Sequence, residues 1–159
     1  MRWPPMMMLF SILPVVLCIA MLDGRPPSFS QMVARAPHAV LHLEVADTSV
    51  KREYGLMYRS SLLSHHGMVF VFSFDGLQAF WMKNTLIGLD MIFVGSDARV
   101  RSVQANVPRS TLRMAESSVA RRSGSAKFVL ELPAGEAQSD GLVPGAPIVG
   151  IRTLQAKVP

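Results

Sequence analysis

Between residues 38 and 154 the chain is written in short apolar segments separated by turn residues, with no sustained 3.6-residue periodicity. Ala39, Leu41, Leu43 and Val45 alternate with Val40, His42 and Glu44, a period of two that predicts a half-buried strand. Asp47 or Thr48 can cap a short helix from Ser49, and Gly55 suits its end. Residues 68–74 (MVFVFSF) are apolar at successive positions and predict a strand covered on both faces. Asp75-Gly76 is a turn signal that leads into a strand over 78–83. Residues 84–88 turn the chain into a strand over 89–94, and 99–105 reads as a weaker edge strand. The stretch 106–126, rich in Arg and Ser, reads as the least ordered part. Phe128, Leu130 and Leu132 alternate with Lys127, Val129 and Glu131 in a further strand. Residues 135–140 predict one helical turn, and 148–154 a last strand. The sum is a mainly β domain, sandwich or barrel-like, with one or two short helices.

The amino terminus follows another pattern. Arg2 precedes residues 6–21, a 16-residue run without a charge, and Asp23 and Arg25 restore polarity. That is the layout of a secretory signal peptide, and the run is short of the roughly 20 residues of a membrane span. Residues 1–20 are therefore expected to be a signal peptide or an amino-terminal anchor, residues 21–37 a flexible linker, and residues 38–157 one globular domain. Cleavage after Ala20 would remove Cys18, leaving no thiol; lipidation of Cys18 is a competing reading, against which Leu17 is larger than such sites favour. The expected location is periplasmic or secreted, or membrane-anchored if the signal is retained.

Composition narrows the function classes. Sixteen Lys+Arg against eleven Asp+Glu give +5, and 50% of residues are hydrophobic, which excludes a disordered, highly charged chain. A single Cys excludes a disulfide framework or a Cys-rich metal site. No H-E-x-x-H, G-x-S-x-G or phosphate-cradling glycine loop occurs. The basic stretch 109–127 lacks the interleaved aromatics that stack bases, and export also argues against nucleic acid. No cofactor is implied.

Three groups of residues stand out in order. They are Gly55-Leu56-Met57-Tyr58-Arg59 followed by Gly67-Met68-Val69-Phe70; Phe80-Trp81-Met82-Lys83-Asn84-Thr85 followed by Leu89-Asp90-Met91; and Val129-Leu130-Glu131-Leu132-Pro133-Ala134-Gly135. In this order and spacing the chain resembles the prokaryotic domain-of-unknown-function family 192, over about residues 38–151. The resemblance implies a small, often exported, mainly β domain, and it implies no established activity. Gly145-Ala146-Pro147 departs from the Gly-Asp pair usual before the last strand of that family.

The candidate ligand site is the central hairpin: Trp81, Lys83, Asn84, Thr85 and Asp90, with Arg59 nearby. Trp81 and Lys83, two apart, should share a strand face, and Asp90 should lie across the hairpin from them. A ring beside a cation, an amide and a carboxylate makes a floor for a small polar ligand or an envelope component. The bland alternative has Asp90 paired with Lys83 or Arg59, and Asn84-Thr85 merely shaping the turn. The leading expectation is a non-catalytic binding module. One alternative is an enzyme on a polar envelope or carbohydrate substrate with Asp90 as acid/base. Another is a Cu(I) protein using thioethers such as Met57 and Met68, against which stands core packing. Glu44 and Glu131 occupy alternating positions that read as solvent-facing.

Overall fold

The computed structural model describes residues 25–157. The signal or anchor expected over 1–20 lies outside the described residues. Six strands form one mixed sheet: β1 (Ser30–Arg35), β2 (Val40–Ala46), β3 (His66–Trp81), β4 (Leu89–Val94), β5 (Val100–Val107) and β6 (Arg121–Pro133). Their spatial order is β1-β2-β3-β6-β4-β5. Only β2 and β3 run parallel, and the crossover between them carries the helix α1 (Ser49–Tyr54). A second short helix, α2 (Glu136–Ser139), follows β6. The protein is thus mainly β with two short helices, as its patterning predicts, and the sheet is open.

β3 and β6 are central, so both of their faces are covered. Residues 128–132 of β6 and all of β4 are buried, including Asp90 and Glu131. One face carries Val69, Val71, Ile92, Val94, Leu130 and Leu132, closed by Ala137 of α2 and by Leu142, Ile148 and Ile151 of the carboxy-terminal segment. The other carries Met68, Phe70, Met91, Phe93 and Val129, closed by Leu56 after α1 and by Met82 and Val119. Successive residues of a strand point to opposite faces, which fixes the division.

β3 is the element that shapes the second face. Ten residues of straight strand span about 33 Å, yet the Phe70 and Phe80 ring centroids are 4.9 Å apart, edge to face. The strand therefore folds back on itself, and its register against β6 shifts between Val71 and Gly76. Phe80 also meets Phe93 edge-on at 6.1 Å. Gly124 on β6 permits this closure, since a Cβ there would stand 2.6 Å from the Phe93 ring.

α1 begins and ends as its sequence dictates. The Thr48 side chain accepts the Lys51 N–H, and Gly55 ends the helix at φ +50°. Asp47 accepts Lys51 Nζ at 3.0 Å and Lys157 Nζ at 2.7 Å, tying the carboxy-terminal end to this helix. Burial alone would raise the Asp47 pKa, but the two ammonium groups outweigh it and hold it below the ordinary value.

Four expectations need correction. The sheet begins at Ser30, inside the stretch read as linker, because β1 pairs with β2 along its whole length. Asp75-Gly76 makes no hairpin turn: β3 runs through it, and Asp75 instead takes a two-pronged contact from Arg101 and the Ser96 N–H. Residues 121–126 are strand, paired with 76–81. Residues 148–154 form no strand; there the chain makes isolated bridges, Arg35 with Val149 and, just before, Arg99 with Pro147.

Candidate functional site

On the second face, between α1 with its following turn and the folded-back end of β3, lies a cavity of about 220 Å³. Its walls are aromatic: Tyr54, Phe70, Phe72, Phe80 and Trp81. Arg52 stands at the wall with its guanidinium over the Phe72 ring at 5.3 Å and donates to the Val71 carbonyl at 3.0 Å. Besides Arg52 and the Tyr54 hydroxyl, the polar side chains lining it are Thr85, Glu131 and the exposed Glu53.

Glu131 is the unusual one. It is 5% exposed, on the central strand β6, with Met68 of β3 and Met91 of β4 as its cross-strand neighbours. Its carboxyl makes no side-chain hydrogen bond or ion pair with any described residue. Burial pushes its pKa from 4.5 to about 8, and no nearby charge or donor acts against that push. At neutral pH the group is mostly a neutral acid, able to donate one hydrogen bond and accept others. No enclosed side-chain nitrogen or oxygen among the described residues lacks a partner, so the Glu131 carboxyl reaches the cavity. The reading of Glu131 as solvent-facing is wrong. The strand that carries it is covered on both sides, so alternation there does not separate water from core.

The residues expected at the site divide into three groups. Trp81 and Thr85 line the cavity, and Lys83 stands against the Trp81 ring outside that lining. Lys83 lies beyond the end of β3 rather than on its face, yet its Nζ stands 4.7 Å from the Trp81 ring centroid. Thr85 is buried in the cavity wall and its hydroxyl donates to the Lys83 carbonyl at 3.2 Å. Asn84, in a left-handed conformation (φ +53°), shapes the turn: its carbonyl accepts the Tyr58 N–H and its amide donates to the Tyr58 hydroxyl at 3.0 Å.

Arg59 and Asp90 belong elsewhere. The Arg59 fork is held by Glu44, with Nη1 to Oε1 at 2.8 Å and a second, parallel bond. Asp90 does not lie across from Trp81: with Ile92 and Val94 on β4 it points to the opposite face of the sheet. It is fully buried, and its two oxygens accept the N–H groups of Asn106 at 2.7 Å, Gly135 at 2.9 Å and Ala137 at 2.9 Å. A carboxylate so engaged braces the loop after β5 and the start of α2, and it is unsuited to the acid/base role considered for it.

Two further clusters bear on chemistry. Met68, Met82 and Met91 are fully buried in the apolar core of the second face, as flexible core filler is. His65 donates its backbone N–H to Glu136 at 2.9 Å, and its Nδ1 lies 3.1 Å from Asp140. These three side chains bring ligand atoms within 4.8 Å of one another, but they already satisfy each other.

The comparisons with known proteins follow this architecture. The model of the DUF192 family, described as an uncharacterized ACR, matches residues 32–150. The chain belongs to this family. A Sinorhizobium meliloti 1021 protein, described as a candidate transcription regulator, is 32% identical with a TM-score of 0.69, over 79% of this chain and 98% of that one. A Novosphingobium aromaticivorans DSM 12444 protein of unknown function is 32% identical with a TM-score of 0.62, over 77% of this chain and 85% of that one. A search of curated proteins gives no match. The DUF192 match runs from residue 32 through β1 to the carboxy-terminal bridges, so it includes every wall of the aromatic cavity.

Proposed function

We propose that the chain is a non-catalytic binding module for a small organic molecule, and that its site is the aromatic cavity ending on Glu131. The observation that carries this is a carboxyl at the centre of the sheet, buried and without a protein partner, beside a cavity of about 220 Å³. A carboxyl that faces a cavity with no protein partner keeps its hydrogen-bonding capacity open to a ligand. A ligand polar group can take it up while the rings enclose its apolar part. Cavities of about 150 Å³ take benzene, so this one suits a ring with a short side chain. The export reading of residues 1–20 belongs to the same proposal and places the module in the cell envelope.

The test is a thermal-shift screen of the full chain against ring-bearing acids, amides and amines, repeated with Glu131→Gln and Trp81→Ala. A hit at about 100 times its dissociation constant adds roughly 2.7 kcal/mol. The proposal predicts a hit that both variants weaken without losing their fold. A hit insensitive to both variants overturns it.

A second reading rests on the same carboxyl. A neutral acid near pH 7 in an aromatic cleft has the protonation state a general acid needs. An enzyme of this kind would use Glu131, in place of the Asp90 first considered. Turnover of a screening hit, lost in Glu131→Gln while binding persists, would favour this reading over the binding module.

A further inference from the structure

The Trp81 indole is a wall of two spaces. On one side lies the Glu131 cavity; on the other an open groove lined by Ala79, Phe80, Gln104, Arg121 and Arg122. Every charged side chain lining that groove is positive. The Arg121 guanidinium stands 5.3 Å from the Trp81 ring centroid, and Lys83 Nζ stands 4.7 Å from it. A ring attracts a cation through its quadrupole and leaves the N–H groups available to an anion, unlike a carboxylate partner.

Some cations of the protein are neutralised by carboxylates. Arg59 is paired with Glu44, Arg101 with Asp75, and Lys51 and Lys157 with Asp47. Lys83 and Arg122 have no carboxylate within 4.0 Å among the described residues. Arg121 has one, the exposed Glu116, at 3.8 Å. Arg121 and Arg122 of the groove, with Lys83 against the same indole, thus set positive charge beside the cavity. They repel an ammonium ligand. An acid group would be drawn to them.

We propose that the ligand is an organic anion: its acid group rests on Lys83, Arg121 and Arg122, and its apolar ring passes Trp81 into the cavity toward Glu131. This rests on the binding reading above and adds the charge class of the ligand. Inside, Glu131 stays neutral and donates to a carbonyl or hydroxyl of the ligand, so that it does not repel the anion outside.

The test uses three molecules of one shape: 3-(4-hydroxyphenyl)propanoate, its neutral amide and the cationic 3-(4-hydroxyphenyl)propylamine. Binding to the full chain is read by calorimetry at low salt and pH 6.5. Exposed charge pairs contribute about 0.2–1 kcal/mol each, so three cations should favour the acid over the amide about threefold or more. The preference should shrink in high salt. In the triple variant Lys83→Gln, Arg121→Gln, Arg122→Gln the acid should fall to the affinity of the amide, with amide binding unchanged. Unchanged amide binding also shows that the variant is folded. Equal binding of acid and amide to the native chain overturns the charge assignment and leaves the cavity reading standing. Tightest binding by the amine overturns it in favour of pairing with Glu131. No binding by any of the three at millimolar concentration overturns both readings.

Discussion

Asp90 and Glu131 are buried carboxyls on neighbouring strands, and their surroundings are opposite. Asp90 faces the side closed by α2 and takes three backbone N–H groups. Glu131 faces the aromatic cavity and takes none. One is placed as a brace, where its acceptors are used up by the chain itself. The other is left with its hydrogen-bonding capacity unspent. A carboxylate named in a sequence motif can have either role, and only the count of partners separates them.

The largest effect that separates the two is a pH slope. Glu131 in the folded chain holds its proton up to about pH 8, whereas the unfolded chain releases it near 4.5. Between those values the unfolded state binds fewer protons, so this group's contribution makes stability fall as pH rises. Across the window the loss relative to Glu131→Gln is roughly 4 kcal/mol. It is checked by urea unfolding of both proteins from pH 4.5 to 9. Next is Asp90→Asn, which leaves backbone donors unmatched and should destabilise by about 3 kcal/mol at pH 7, read as a lower urea midpoint at unchanged slope. Glu131→Gln at pH 6 should raise stability by roughly 2 kcal/mol, because the unfolded chain has by then released a proton that the native carboxyl still holds. A large loss there would mean that Glu131 too is a brace.

Smaller effects sharpen the picture further. Arg59→Ala should cost about 1 kcal/mol, and a double-mutant cycle with Glu44→Ala should assign most of it to that pair. Lys83→Gln should alter stability by less than about 0.5 kcal/mol, since its ammonium rests on the Trp81 ring and braces nothing.

Much of this was legible in the sequence, for identifiable reasons. Local signals held where local physics decides: Thr48 and Gly55 bound α1, residues 68–71 are buried on both sides, and 100–107 is an edge strand. Signals failed where the partner decides. Asp75-Gly76 looks like a hairpin turn, but β6 runs long enough to pair on both sides of it, and the chain passes through with a register shift. Alternation reads the run 128–132, FVLEL, as half-exposed, although four of its five residues are apolar and only Glu131 breaks the series. A lone carboxyl inside such a run was the available sign of a buried acid. Trp81 and Thr85 line the cavity and Lys83 stands against the Trp81 ring, while the face taken by Asp90 requires the strand order.

The most direct test is the titration of the Glu131 carboxyl itself. Carbon-13 NMR of glutamate-labelled protein, with Glu131→Gln identifying the resonance, reads its midpoint in the folded state. A midpoint near 8 is predicted for a buried acid facing the cavity without a partner. A midpoint near the ordinary 4.5 would mean that water or a protein donor already serves this carboxyl, and would contradict the central claim.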